Sequence, residues 1–264
     1  MRIFGATSDL DWLRELTVPQ DESFYSSITS KQPYDGLCEL TVSFKGERQW
    51  GFWANYQGTT LSLHIKKPPG LSEPQRSLKG LSVCIDPGHG GNEPGAYGPS
   101  GLSEQVINLA IALKLRELLL KEKATVIMTR TREDTPVSLD MRCKTAIESK
   151  EDVLVSIHNN ALPDWGNPWL EQGTSTYWYQ PQSRELACKL RKTISCETNF
   201  HDYGTFYDSL ALTRPSHMLA VLVEIGFFIN PDEFCKLTRS DIQEKAAIGI
   251  LKGLKSYFGV QSNL

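Results

Sequence analysis

The chain has 264 residues, 40% of them hydrophobic and 22% charged, with a formal net charge of −3. This is the composition of an ordinary globular protein, either one large domain or one domain with a small appendage. The slight acidity argues against a nucleic-acid surface, which needs a basic face, and no apolar run reaches the ~18 residues of a membrane span.

The opening residues, from Met1 to Asp11, lack the long apolar core of a signal peptide. Such a chain acts inside the cell unless an export signal is missing from it. Residues 1–68 read as a small β-rich module. Stretches 37–44 and 48–54 alternate with period two in aromatic and β-branched side chains, 45–47 form a hairpin turn between them, and 59–65 make a third strand. Trp50, Phe52, Trp53 and Tyr56 fit either a carbohydrate platform or the module's own core. A module under 70 residues needs most of them for its core. Residues 69–79 follow as a linker, because Pro68, Pro69 and Gly70 cannot continue a sheet.

From residue 80 to 264 strands and helices alternate. A strand at 81–85 leads to a helix over 105–121 that carries Val106, Leu109, Ala110, Leu113 and Leu118 on one stripe. Further strands are expected at 124–129, 153–157, 174–179 and 220–224, and further helices at 138–149, 183–198 and 242–257. The alternation predicts an α/β domain, a mixed, mainly parallel twisted sheet flanked by helices. Six cysteines (Cys38, Cys84, Cys143, Cys188, Cys196 and Cys235) show no C-x-x-C pair and read mostly as buried free thiols, which mildly favours a reducing compartment.

Three strands end in chemistry. The run to Ile85 leads into Asp86-Pro87-Gly88-His89-Gly90-Gly91, the run to Ile157 into His158, and the run to Val223 into Glu224. Ligands of open α/β sheets gather beyond the carboxyl ends of strands, so this composition points to a metal, zinc first. A hydrolytic zinc takes three His or carboxylate ligands and leaves its fourth position to water, whose pKa falls to about 7. His89 and His158 are the nitrogen ligands. Glu104, opening the first helix, is the third ligand unless it merely complements the helix dipole. Glu224 is then the general base. His64, His201 and His217 read as structural or surface residues, with His217 the one best placed to line the cleft.

These segments, with Thr129-Arg130-Thr131-Arg132-Glu133-Asp134, Ser156-Ile157-His158-Asn159-Asn160-Ala161 and Glu224-Ile225-Gly226-Phe227-Phe228-Ile229-Asn230-Pro231, resemble the zinc-dependent N-acetylmuramoyl-L-alanine amidases of the Amidase_3 type over about 81–258. The resemblance implies a peptidoglycan amidase that cuts between the muramic lactyl group and L-alanine. By position it makes His89, Glu104 and His158 the zinc ligands and Glu224 the catalytic glutamate. It also implies a peptidoglycan or muropeptide partner, and a divisome or activator protein that the residues leave unidentified. The compartment would be the periplasm or cell envelope if an export signal is missing, and otherwise the cytoplasm. The alternative is a catalytically inactive wall-binding protein that keeps the fold.

Some relatives carry an inserted helix that plugs the site. Residues 162–172 are too few for one, so an open site is expected. In that loop Trp165 and Trp169 either stack on substrate or anchor the loop. Arg214 is a candidate for a stem-peptide carboxylate, or else a surface arginine. The N-terminal module is a candidate wall binder.

Overall fold

The computed structural model describes residues 1–5, 25–46, 48–73, 75–163 and 165–261. The chain divides into two units, Met1–Gln49 and Trp50–Leu264. The first is an antiparallel sheet of β1 (Arg2–Phe4), β2 (Tyr25–Tyr34) and β3 (Leu37–Phe44), in the order β1-β3-β2. Strand β2 was not expected: it is polar and largely exposed, and the signal for it is the Asp35-Gly36 turn, where Gly36 takes φ +79°. Strand β3 pairs with β1 and β2, and the expected partner stretch pairs instead from Phe52 onward with Thr60–Ile65; Glu47 of the expected turn lies outside the described residues.

The expected third strand belongs to the second unit. There β4 (Phe52–Gln57) and β5 (Thr60–Ile65) form a hairpin, so the division falls at 49/50 and not at 68. Lys66 explains the attachment: its ammonium bonds the Lys150 carbonyl at 3.0 Å and the Glu151 carbonyl, and pairs with Asp152 at 3.0 Å. The stretch read as a linker is also seated, with Leu78 fully buried and the Gln75 carbonyl accepting from Gln261 N.

The rest of this unit runs β6 (Ser82–Pro87), α1 (Glu104–Lys121), β7 (Thr125–Met128), α2 (Leu139–Glu148), β8 (Val153–Asn160), β9 (Thr174–Trp178), α3 (Arg184–Thr198), β10 (Asp202–Tyr207), β11 (Leu219–Phe227), α4 (Pro231–Leu237) and α5 (Ser240–Phe258). Six strands form one sheet in the order β10-β9-β11-β8-β6-β7, parallel except where β9 meets β11. The expected mixed, mainly parallel sheet is present. Strand β10 and helix α4 went unread; Gly204 interrupts the aromatic run of β10.

Alternation along the strands sorts the two faces. Val83, Ile85, Val155, Ile157, Val221 and Val223 pack with α1, α3 and α5 in the main core. Cys84, Leu154 and Ala220 pack with Ala146 of α2 in a smaller one. Helix α1 buries Ile107, Leu109, Ile111, Ala112, Leu115 and Leu119, so of the stripe expected from sequence Leu109 is buried and Leu118 packs against the core, and the rest of the buried face differs because sheet and α5 cover the helix on two sides. All six cysteines are free, but only Cys38 and Cys84 are buried, while Cys196 and Cys235 are exposed at helix surfaces. Among the described residues no helix is long and apolar enough to cross a membrane.

Candidate functional site

The site grows from the face of the smaller core, where Asp86, Ser156, His158 and Glu224 succeed Cys84, Leu154 and Ala220 by alternation. Asp86 pairs with Ser156 between β6 and β8, and His158 with Glu224 between β8 and β11. Beyond β6 the chain must bend sharply past the His158 ring. A Cβ at Gly88 would lie 2.2 Å from that ring, so glycine alone fits. His89 then takes a left-handed backbone, φ +61°, a conformation that costs a non-glycine residue of order 1–3 kcal/mol and collects at functional sites.

Two buried arginines hold this bend. Arg142 pairs with Asp86 at 2.7 Å and donates to the carbonyls of Pro87 (2.7 Å) and His89 (2.6 Å). Arg130 donates from Nε to the Pro87 carbonyl at 3.0 Å and from Nη2 to the Gly88 carbonyl at 2.8 Å. Burial, then the charge of Arg142, brings the Arg130 guanidinium down to about 10, still charged at neutral pH. Asp86 also accepts from Thr129 (2.5 Å) and Ser156 (2.6 Å). A buried charge is tolerable only when paired and hydrogen-bonded, and here the network rigidifies the loop that presents His89. Sequence reasoning missed Arg142 altogether and left Arg130 without a role.

Glu104, buried at the start of α1, stands between the two imidazoles. Its Oε2 is 3.1 Å from His89 Nε2 and its Oε1 is 3.2 Å from His158 Nδ1. The rings are 4.8 Å apart, edge to face. Backbone N–H groups of Ala96 and Asn159 (both 3.1 Å) and the Asn108 amide (2.9 Å) donate to the carboxylate. Burial alone would raise its pKa, but the hydrogen bonds of His158 and His89 outweigh it and hold the carboxyl well below the usual range. Asn108, one turn on from Glu104, is a supporting residue that helical spacing alone would have revealed.

These three residues are a group able to hold a metal ion. One ligand atom from each residue lies within 4.8 Å of the others, and the two imidazoles approach different oxygens of Glu104 at 3.1 and 3.2 Å, so a small closing of the group would bring it to the spacing of about 3.3 Å that tetrahedral zinc sets. Glu224 completes the cluster. It is half-buried, and its Oε2 is shielded with no hydrogen-bond partner. Burial first, then the charge of Glu104, pushes its carboxyl well above the ordinary value. All four residues line one cavity of about 590 Å³, together with Tyr97, Asn160 and Leu162.

The other candidates fall elsewhere. Arg214 is exposed ahead of β11, away from the Glu224 end of that strand, and does not line the cavity. Trp165 and Trp169 are exposed in the loop that leaves the cavity through Ala161 and Leu162, and they are not part of its wall. His64 and His217 stack on Trp53, and the His201 carbonyl accepts from Thr174 N; none of the three histidines lines the cavity.

The chain is similar to known proteins. The family model described as N-acetylmuramoyl-L-alanine amidase matches residues 83–256. The probable cell wall amidase LytH of Staphylococcus epidermidis is 30% identical over 255 residues, 92% of this chain and 84% of that protein. The catalytic domain of CwlV, an N-acetylmuramoyl-L-alanine amidase from Bacillus (Paenibacillus) polymyxa, superposes with a TM-score of 0.64 at 36% identity, covering 69% of this chain and 99% of that one. The CwlD amidase of Clostridioides difficile, solved with the GerS lipoprotein, gives 0.58 at 29% identity over 69% of this chain and all of that one. The family match, the relatives and the fold agree: this chain belongs to the N-acetylmuramoyl-L-alanine amidase family and is a peptidoglycan-hydrolysing enzyme.

Proposed function

We propose that the enzyme uses zinc held by His89, Glu104 and His158, with Glu224 as general base and then general acid, to cut the amide between the muramic lactyl group and L-alanine. The observation that carries this is the register pairing of Glu224 with His158, which sets an unpartnered buried carboxylate oxygen beside the His-Glu-His group. Zinc bound there supplies Lewis-acid polarisation of the scissile carbonyl and acidifies water.

The protein's residues do the rest. Hydrogen bonds from Ala96, Asn108 and Asn159 fix Glu104 between the imidazoles, as supporting groups fix metal ligands generally. Glu224 Oε2 takes the proton of the attacking water as the carbonyl C–O bond forms. It returns that proton to the alanine nitrogen as the C–N bond breaks, leaving a lactyl carboxylate and a free α-amine. The exposed Trp165 and Trp169, in the segment that follows the lining residues Ala161 and Leu162, are proposed to meet substrate, whereas the position of Arg214 supports no such role. Action on peptidoglycan supports a location outside the cytoplasmic membrane, with residues 1–49 as a candidate wall-binding unit.

Metal content and released peptide, measured on purified sacculi with the wild type, Glu224→Gln and His158→Ala, test this. Glu224→Gln should keep its metal and lose about 10²–10⁴ in rate, and His158→Ala should lose the metal. Metal loss in Glu224→Gln would overturn the division of roles.

A further inference from the structure

The sheet face that carries the site is unevenly covered. Helix α2 packs over β6 and β8, but among the described residues no helix of the core clusters covers the same face of β9 and β10. That bare stretch is aromatic. Tyr177 pairs with Leu222 of β11 and with Phe206 of β10, so all three side chains share the face of Glu224, whose own partner on β9 is Ser175. Tyr177 thus stands two residues along the strand from the partner of Glu224, about 7 Å on. The rings of Tyr177 and Phe206 are 5.5 Å apart, and Tyr203 follows 5.8 Å from Phe206, braced edge-on by Phe227. Tyr203 and Phe206 are each 38% exposed. The chain makes room for this arrangement: a Cβ at Gly204 would lie 2.6 Å from the Phe206 ring.

We propose that Tyr177, Phe206 and Tyr203 form a stacking platform for the glycan strand beside the cleaved muramoyl residue, so that the enzyme prefers polymeric peptidoglycan to isolated muropeptides. The proposal rests on the amidase reading above. Three rings in sequence, 5.5 and 5.8 Å apart and tilted 34° and 55° to one another, are spaced near successive pyranoses and offer aromatic surface to the polarised C–H faces of sugars. The row starts at the catalytic carboxylate: after burial, the Glu224 charge contributes to raising the Tyr177 phenol. The rim favours the neutral glycan over the carboxylate-bearing stem peptide. Glu171 interacts with the Tyr203 hydroxyl, Asp202 is paired with Arg191, and Asp208 follows the strand.

The test compares kcat/KM on purified sacculi with kcat/KM on an N-acetylmuramoyl dipeptide, for the metal-loaded wild type, Phe206→Ala, Tyr203→Ala and Phe206→Trp. The polymer-to-fragment ratio should fall about tenfold in the alanine variants, through KM, and recover in Phe206→Trp. Neutral N-acetylglucosamine oligomers should also inhibit sacculus cleavage by the wild type competitively, a readout that survives if a variant misfolds. An unchanged ratio, or competition by free stem peptide and not by the neutral oligomers, overturns the platform. A wild type that releases no peptide from either substrate overturns the amidase reading instead.

Discussion

The Trp50–Leu264 unit holds two pairs of histidines that use the same side chain in opposite ways. His89 and His158 turn ring nitrogens toward a shared carboxylate, 3.1 and 3.2 Å away. His64 and His217 turn ring faces toward Trp53, with centroids 4.8 and 5.3 Å distant and planes within 3° and 15° of parallel. The first pair sits at the carboxyl ends of β6 and β8, the second between the β4–β5 hairpin and the start of β11. In the first pair buried donors fix a carboxylate against the imidazole nitrogens, leaving a group that could hold a metal. In the second the ring faces are covered, and His64 Nε2 meets Asn55 Oδ1 at 2.8 Å.

The largest effect should come from breaking the scaffold of the first pair. Arg142→Ala leaves Asp86 as a buried carboxylate without its cation and frees the His89 carbonyl. Removing one partner of a buried ion pair costs about 3–5 kcal/mol. Denaturant unfolding of the chelator-treated protein measures it apart from metal loss, and a cost under about 1 kcal/mol would show that the arginine is dispensable to the bend.

That scaffold is also where the sequence says least. The four proposed site residues stood out in the sequence because two apolar runs lead directly into His158 and Glu224, a third leads into the glycine-rich turn that holds His89, and Glu104 opens a helix. Asp86, Arg130 and Arg142 were not, since nothing local marks a charged side chain as buried until the fold supplies its partner. The phase of α1 was misread for a related reason: a helix covered by both sheet and α5 has apolar residues nearly all round, so Ile107, Ile111 and Leu115 compete with Val106, Ala110 and Leu113 for the inward face. Strand β2 escaped because exposed strands need no apolar alternation.

Asn108→Ala sharpens the comparison at intermediate cost. It removes one donor to Glu104 and one acceptor for the Asn159 amide. Loss of such a supporting group typically weakens metal binding 10–100-fold, which competition against a chelator would read. Unchanged affinity would mean that the N–H groups of Ala96 and Asn159 suffice. Trp53→Ala is the matched change at the second pair. It removes two stacked contacts at a half-exposed position, worth about 1 kcal/mol together, and should leave metal affinity untouched. A loss of zinc in this variant would break the distinction between the pairs.

The smallest effect is one of pH. Burial chiefly, and then the Lys66 charge, lowers the His217 pKa below its ordinary value, and its Nδ1 is shielded without a partner. A depressed folded pKa means that the fold prefers the neutral ring. The resulting stability is fully present above the unfolded pKa of about 6.5 and is lost as pH falls through the folded value. His217→Phe keeps a ring against Trp53 and cannot take a proton. The wild type should therefore lose stability relative to His217→Phe as pH drops from about 8 to about 5. Every other titratable group is common to both proteins, so the difference in Tm isolates His217. A difference that stays flat with pH would place His217 in water rather than against the indole.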